Sequence, residues 1–472
     1  MTDPGVTVTA SATTRRRIGE NLARTLTYRE NWIRLGALMT GLITGVVLTL
    51  TTHGWVWPVT DEPIVEGASV VVLAGQDRTG ARQQRIDAWN EMVKEWNKDE
   101  KHAEHRKPSA QVVWLPSSSG EQLAEMLRRA QSPAADVDVF VLDAPWTKQF
   151  AMRGYIRRLG SDVDATGFLD APLRTCRLGD GLYALPFNTD AGLLFSWRTP
   201  APAGAAGQAA QDAQDQDPWT KWRATSRTVP KKAAFVGQFG PGEAFVVNVL
   251  EGVLARGGPI LDEDGNLNLQ DENVHRALRS LHKDLADSTV MYRKSKEMDE
   301  ASSRDAFVKG EAVYLRDWPY FVPRTEDGLP NPQVAVDAMP WKGVLGGQNL
   351  AVAGESRRPR AAQELVEWLT SETSQVRLFE DGGFAATRRV LYLDPKITGS
   401  TRYGYAKPLL ASIEKALPRP SVPDYQLFSK VFENVMRRVL ANDGELGTAD
   451  IERITAATEG KLLPDSGDTS TG

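Results

Sequence analysis

Between residues 68 and 142 the chain alternates short apolar runs with stretches of helical periodicity, and this pattern narrows the possible folds more than any other in the sequence. Residues 68–74 (ASVVVLA), 110–115 (AQVVWL) and 137–142 (VDVFVL) are rich in branched apolar side chains, as strands buried on both faces are. Residues 82–98 place Ile86, Trp89, Val93 and Trp96 on one helical face, so both tryptophans read as core. Ser118-Ser119-Gly120-Glu121 has the form of a capping box opening a helix, with Leu123, Met126, Leu127 and Ala130 inside. Strands separated by helices pair in parallel, so the expectation is an α/β fold with a mainly parallel sheet covered on both faces. Such sheets bind ligands beyond the carboxyl ends of their strands. Those ends fall here at Gly75-Gln76-Asp77, Pro116-Ser117-Ser118 and Asp143-Ala144-Pro145-Trp146.

Further along, residues 182–195 (LYALPFNTDAGLLF) form two apolar runs broken by Asn188-Thr189-Asp190, which suits a chain passing between lobes. Residues 199–217 are low-complexity Ala, Gln, Asp, Gly and Pro and read as a solvated loop. Helical segments are expected at 243–256, 272–285, 302–309 and 360–380, with a hairpin over 260–269 turning at Asp264-Gly265. Short strands are expected at 312–315, running into Arg316-Asp317-Trp318-Pro319-Tyr320, and at 348–353. The stretch 407–461 is largely helical, the tail 465–472 is expected to be disordered, and there is no internal repeat.

At 472 residues the chain is long enough for two or three units. A net charge of −5 excludes the basic footprint of a nucleic-acid binder. Cys176 is the single cysteine, which excludes an intrachain disulfide, a cysteine-cluster metal site and an N-terminal lipoprotein cysteine. Arg15, Arg16, Arg17, Arg24 and Arg29 precede an apolar run at 35–56 that has no ionised side chain and is long enough to cross a bilayer. Trp32 stands before the run, and Trp55 and Trp57 stand at its far end, where amphipathic rings favour the headgroup level. With the arginines before and Asp61, Glu62 and Glu66 after, the positive-inside rule puts the body outside the cytoplasm. The expected organisation is a basic cytoplasmic segment (1–33), an anchor in the lipid bilayer (34–57) and a linker (58–67). A cleaved signal peptide is the competing reading, and no small-x-small cleavage site follows the run.

Six segments in order resemble the extracellular solute-binding proteins of ABC sugar importers, the group that includes maltose-binding protein. They are 138–146 (DVFVLDAPW), 182–195, 307–320 (FVKGEAVYLRDWPY), 346–351 (GGQNLA), 379–389 (FEDGGFAATRR) and 419–425 (RPSVPDY). The resemblance covers about residues 68–461. It implies a two-lobed periplasmic-binding-protein-like fold with crossings near 186–190, 346–349 and 388–395. Lobe one would join 68–187 to 349–390, and lobe two would join 188–348 to 391–464. It further implies capture of a small ligand, a mono- or oligosaccharide, for delivery to ABC permease subunits, without cofactor or metal. The chain departs from the family in using an apolar run in place of a lipidated cysteine. It also reads Gly242-Glu243-Ala244 where relatives carry an aromatic–Glu–Gly motif.

A closing cleft needs groups that match hydroxyls and flat apolar faces that stack on a sugar ring. Asp143 and Trp146 follow a buried strand, where an acid is either a ligand contact or a helix cap. Trp318 and Tyr320 follow another, with ordinary core packing as the alternative. Asn188 and Asp190 suit either a ligand or an interlobe turn. The resemblance adds Gln238, Glu243, Gly347 and Arg388. Enzyme signals are weak: no nucleophile elbow, phosphate-binding loop or dinucleotide fingerprint is present. His102 and His105, flanked by Glu100 and Glu104, have a metal-like composition but sit in a highly charged, lysine-bearing stretch that reads as solvated surface. A tethered receptor signalling to a membrane partner and a glycan-cleaving enzyme are the rival readings of the same cleft.

Overall fold

The computed structural model describes residues 69–76, 82–98, 108–132, 134, 136–198, 217–226, 233–322 and 330–463. The expected apolar span at 35–56, the histidine pair, most of the 199–217 loop and the tail 465–472 lie outside these residues. Among the described residues no helix is long and apolar enough to cross a membrane.

The opening pattern folds as its periodicity dictates. β1 (Val70–Gly75), α1 (Arg82–Lys98), β2 (Ala110–Leu115), α2 (Ser119–Ala130) and β3 (Val139–Asp143) form the unit, with β1 pairing in parallel to both β2 and β3. Successive side chains point to opposite faces of a strand. Val70, Val72 and Ala74 therefore pack with Trp89, Met92 and Trp96 of α1, while Leu73 packs on the other face with Met126 of α2. Ser118 holds the N-cap position of α2, but its side chain makes no capping bond, so the expected capping box does not form.

After α3 (Trp146–Met152) and the small hairpin of β4 (Arg177–Leu178) and β5 (Gly181–Leu182) come β6 (Leu185–Ala191) and β7 (Leu193–Trp197). Only Gly192 separates them, yet they belong to different sheets. β7 joins β8 (Ala233–Val236), β9 (Ala312–Asp317) and β10 (Val334–Ala338) in a four-stranded sheet ordered β10-β7-β9-β8. β6 stays with the first sheet through β11 (Val344–Val352), which runs antiparallel to both β6 and β3. With β12 (Leu417–Pro418) beside β11, that sheet has six strands and is mixed rather than mainly parallel, because β11 returns from the second sheet in the opposite direction.

Three helices pack beside the second sheet or the core beneath it: α4 (Glu243–Ala255), α5 (Glu272–Ala286) and the shorter α6 (Glu300–Val308). The single helix expected over 360–380 is two, α7 (Pro359–Leu369) and α8 (Glu372–Gly382). At the break the Thr370 hydroxyl bonds back to the Val366 carbonyl at 2.8 Å, and the Ser371 side chain caps α8 by accepting from the Ser374 amide. Serine and threonine bond to local backbone in this way and end helices that apolar spacing alone would continue. α9 (Tyr425–Asn442) closes the core from the carboxyl side, burying Phe428, Phe432 and Met436.

Phe187 of β6 is fully buried, with its ring centroid 4.7 Å from that of Trp89 and 5.4 Å from that of Phe384. Phe187→Ala is expected to lower the unfolding free energy by about 3–5 kcal/mol, measured by urea titration, as large cavities in aromatic cores do.

Candidate functional site: a cleft between the two sheets

The carboxyl end of β3, the middle of β6 and β11, the start of α4 and the end of β9 meet around a cleft of about 710 Å³. Its floor is the β6–β11 pair, where Asn188 faces Gln348 and Asp190 faces Gly346 across the ladder. Gly347 makes that pairing possible. Its φ of 113° suits glycine, and a Cβ there would lie 2.3 Å from the Asn188 carbonyl oxygen. Asn188 and Asp190 are buried, at 3% and 9% exposure.

One arginine ties the two sides together. Arg419, just after β12, donates from Nη2 to Asp143 Oδ1 at 2.6 Å and from Nη1 to Glu243 Oε1 at 2.9 Å. Asp143 ends β3 of the six-stranded sheet, and Glu243 begins α4. Glu243 also accepts from the Tyr425 hydroxyl at 2.5 Å and from Ser429 Oγ at 2.8 Å. Burial opposes the charge of Arg419, but Asp143, Tyr425 and Glu243 together outweigh it and push its pKa further above the usual arginine value. Burial and Glu243 in turn push the Tyr425 phenol well above its ordinary range.

On the opposite wall Trp318 is half-buried, with the Arg316 guanidinium 3.9 Å from its ring centroid. Arg316 lies almost wholly buried, paired with Glu251 at 2.6 Å. Tyr320 receives a hydrogen bond from Arg304, whose guanidinium also lies 4.5 Å from the ring and pairs with Asp317 at 2.5 Å. The Arg85 guanidinium of α1 lies 5.4 Å from the centroid of the same ring and 4.5 Å from that of Phe384. Trp146 lines the cleft but is 4% exposed and belongs mainly to the core. Asp143 does not cap α3, whose N-cap is Pro145.

The fold thus brings together Asp143, Trp146, Asn188, Asp190, Glu243, Trp318, Tyr320 and Gly347. Two expected residues stand elsewhere. Gln238 is fully buried, donating to Ser303 Oγ at 3.0 Å and the Arg316 carbonyl at 2.8 Å and accepting from Asn248 at 2.9 Å, so it has nothing left to offer a ligand. Arg388 donates to the Thr370 and Thr166 carbonyls at 2.9 and 2.5 Å and lies 3.6 Å from the centroid of Phe168, away from the cleft. Sequence reasoning missed Arg419, Arg85, Arg304 and Glu300. For Arg419 a signal existed, since it opens one of the six family-like segments, whereas the other three stand among neighbouring polar residues on helices and nothing in the local pattern singles them out. Among the described residues no group of three or more His, Cys, Asp or Glu could hold a metal ion.

Two α/β sheets joined by short connections, with a polar and aromatic cleft between them, define a two-lobed binding protein. The chain belongs to the bacterial extracellular solute-binding proteins, whose family model matches residues 91–403. A probable ABC transporter-binding protein of Deinococcus radiodurans is 25% identical over 364 residues, covering 72% of this chain and 84% of its own. Among solved structures, the maltose-bound MalE3 of T. maritima superposes with a TM-score of 0.65 at 23% identity, covering 83% of this chain and 99% of that one. The GacH receptor of Streptomyces glaucescens, studied unliganded and with acarbose, gives 0.63 at 18% identity, covering 84% and 100%. An ABC transporter solute-binding protein of Thermotoga lettingae bound to α-D-tagatose gives 0.64 at 19%, covering 84% and 99%.

Replacing Arg419 removes the cation between two carboxylates that are each about a quarter exposed. Arg419→Leu is expected to cost about 3 kcal/mol of stability in chemical denaturation, the low end for breaking a buried ion pair, since water reaches part of both acids.

Proposed function

We propose that this protein captures a mono- or oligosaccharide between its two lobes and hands it to the permease subunits of an ABC importer. The observation that carries the reading is the wall chemistry of the cleft. The half-buried Trp318 indole stands over a floor of buried Asn188 and Asp190. An aromatic face suits the C–H face of a sugar ring, and carboxylates and amides suit its hydroxyls. The sugars bound by the superposing MalE3 and by the Thermotoga lettingae protein agree with that chemistry. Capture by hinge closure follows from the architecture, the four-stranded sheet swinging toward the six-stranded one.

Calorimetry of the soluble body (66–472) against a sugar library tests the reading. A saturable binder is expected, and Trp318→Ala should weaken it by about 2 kcal/mol while changing the melting temperature little, as a ring at the wall of a pocket does. Failure of every sugar to bind would overturn the assignment.

The same reading places the body outside the cytoplasm, held to the membrane by the apolar run at 35–56 with its preceding arginines. Full-length protein should stay in the membrane pellet after alkaline carbonate extraction, and its release into the supernatant would remove the tether.

A further inference from the structure

β11 is buried along its whole length except at Gly347 and Gln348, where it meets the cleft. Gln348 pairs with Asn188 of β6 on one side and with Asp143 of β3 on the other. Side chains directly opposed across a ladder point to the same face of a sheet, and all three of these line the cleft. They form a polar row across three strands, about 10 Å long at the usual Cβ spacing of opposed pairs.

The row is left open toward the cleft. The next amide along β11, that of Asn349, is 1% exposed and spends its Nδ2 on the Thr147 and Thr175 hydroxyls at 2.9 Å each. The half-buried Gln348 amide makes no hydrogen bond among the described residues. Asn188 Oδ1 is buried and meets no donor among them either. Asp143 gives Oδ1 to Arg419 and keeps Oδ2. Glu243 lines the same cleft but already accepts from Arg419, Tyr425 and Ser429. Polar groups shut away from water without a partner cost free energy, so closure of the cleft over this row calls for a ligand that bonds to it.

Resting on the reading of this cleft as a sugar site, we propose that Gln348 determines its specificity, as the centre of a row that reads the hydroxyls along one edge of the bound ring. An amide carries donors and an acceptor, and a hydroxyl both donates and accepts, so two amides and a carboxylate oxygen in line answer hydroxyls on adjacent carbons. The indole of Trp318 sets where the ring lies. It rests against Gly346, two residues before Gln348 on the same strand, where a Cβ would come within 3.0 Å of it. The Arg316 guanidinium lies over this indole, 3.9 Å from the ring centroid, so a sugar stacks on its other face and turns a hydroxyl edge to the row. Inverting one hydroxyl on that edge takes away the partner of the Gln348 amide, and a site built to bond a hydroxyl rejects a ligand that lacks it there.

The test is calorimetry of the full-length protein with D-glucose, its epimers D-galactose and D-mannose, maltose and D-tagatose. Gln348→Ala is expected to weaken the tightest of these at least tenfold and the others less, so that the spread of affinities across the panel narrows at least threefold. Thermal melting of the ligand-free variant should match that of the parent, because the amide has no protein partner to lose. Unchanged affinity, an equal loss for every sugar, or a lowered melting temperature with binding intact makes Gln348 a structural residue; each overturns this assignment and leaves the sugar reading standing. Binding of no sugar by the parent protein overturns both.

Discussion

The buried pair of Arg316 and Glu251 is the fastening on which the two-sheet arrangement depends. Glu251, in the middle of α4, accepts from Arg316 Nε and Nη2 at 2.6 and 2.8 Å and from the Val344 amide at 2.9 Å. The same guanidinium lies against Gly192, where any side chain would come within 2.8 Å of Nε. One carboxylate therefore joins a helix, the end of β9 and the start of β11 at the residue where the chain leaves the first sheet for the second. A buried ion pair is a weak source of net stability, but losing one partner leaves a stranded charge, so the arrangement is held to one geometry. The aromatic wall depends on it as well, because Trp318 stacks on that guanidinium two residues further along β9's exit.

Much of the fold was legible because its signals are local. α1 and β2 begin and end where the sequence pattern puts them, since each has a clear period and a polar boundary. The division of 360–380 into two helices was not legible from spacing, because both halves keep their apolar side inward, and the break comes from the hydroxyls of Thr370 and Ser371 bonding to nearby backbone. The mixed sheet was hidden for a different reason. Strand direction is set by how the chain returns from the second sheet, and nothing within residues 344–352 encodes that.

The cleft shows the same division. Asp143 and Trp318 stand at the ends of strands, so topology alone directs them toward the space between the sheets. Gln238 stands two residues beyond the end of β8, yet its amide is consumed by Ser303, Asn248 and the Arg316 carbonyl, partners from three separate elements that no local pattern foretells. Arg419 is the converse case. It follows a two-residue strand, and only the convergence of β3, α4 and α9 gives it Asp143, Glu243 and the neighbouring Tyr425.

The passage from β6 to β7 is one residue long, and that from β10 to β11 is the five residues 339–343. Connectors so short and so close cannot let one sheet slide past the other; they admit bending about a line through them. Displacement then grows with distance from that line. In the hinge closure proposed above, Asn188 and Asp190, which belong to the strand ending at one connector, would travel little, and the contact between Arg85 and Tyr320 would change with the angle between the sheets. Under that motion the floor would be the fixed gauge against which a ligand is measured, and the Arg85–Tyr320 contact would register how far the jaws had come together around it.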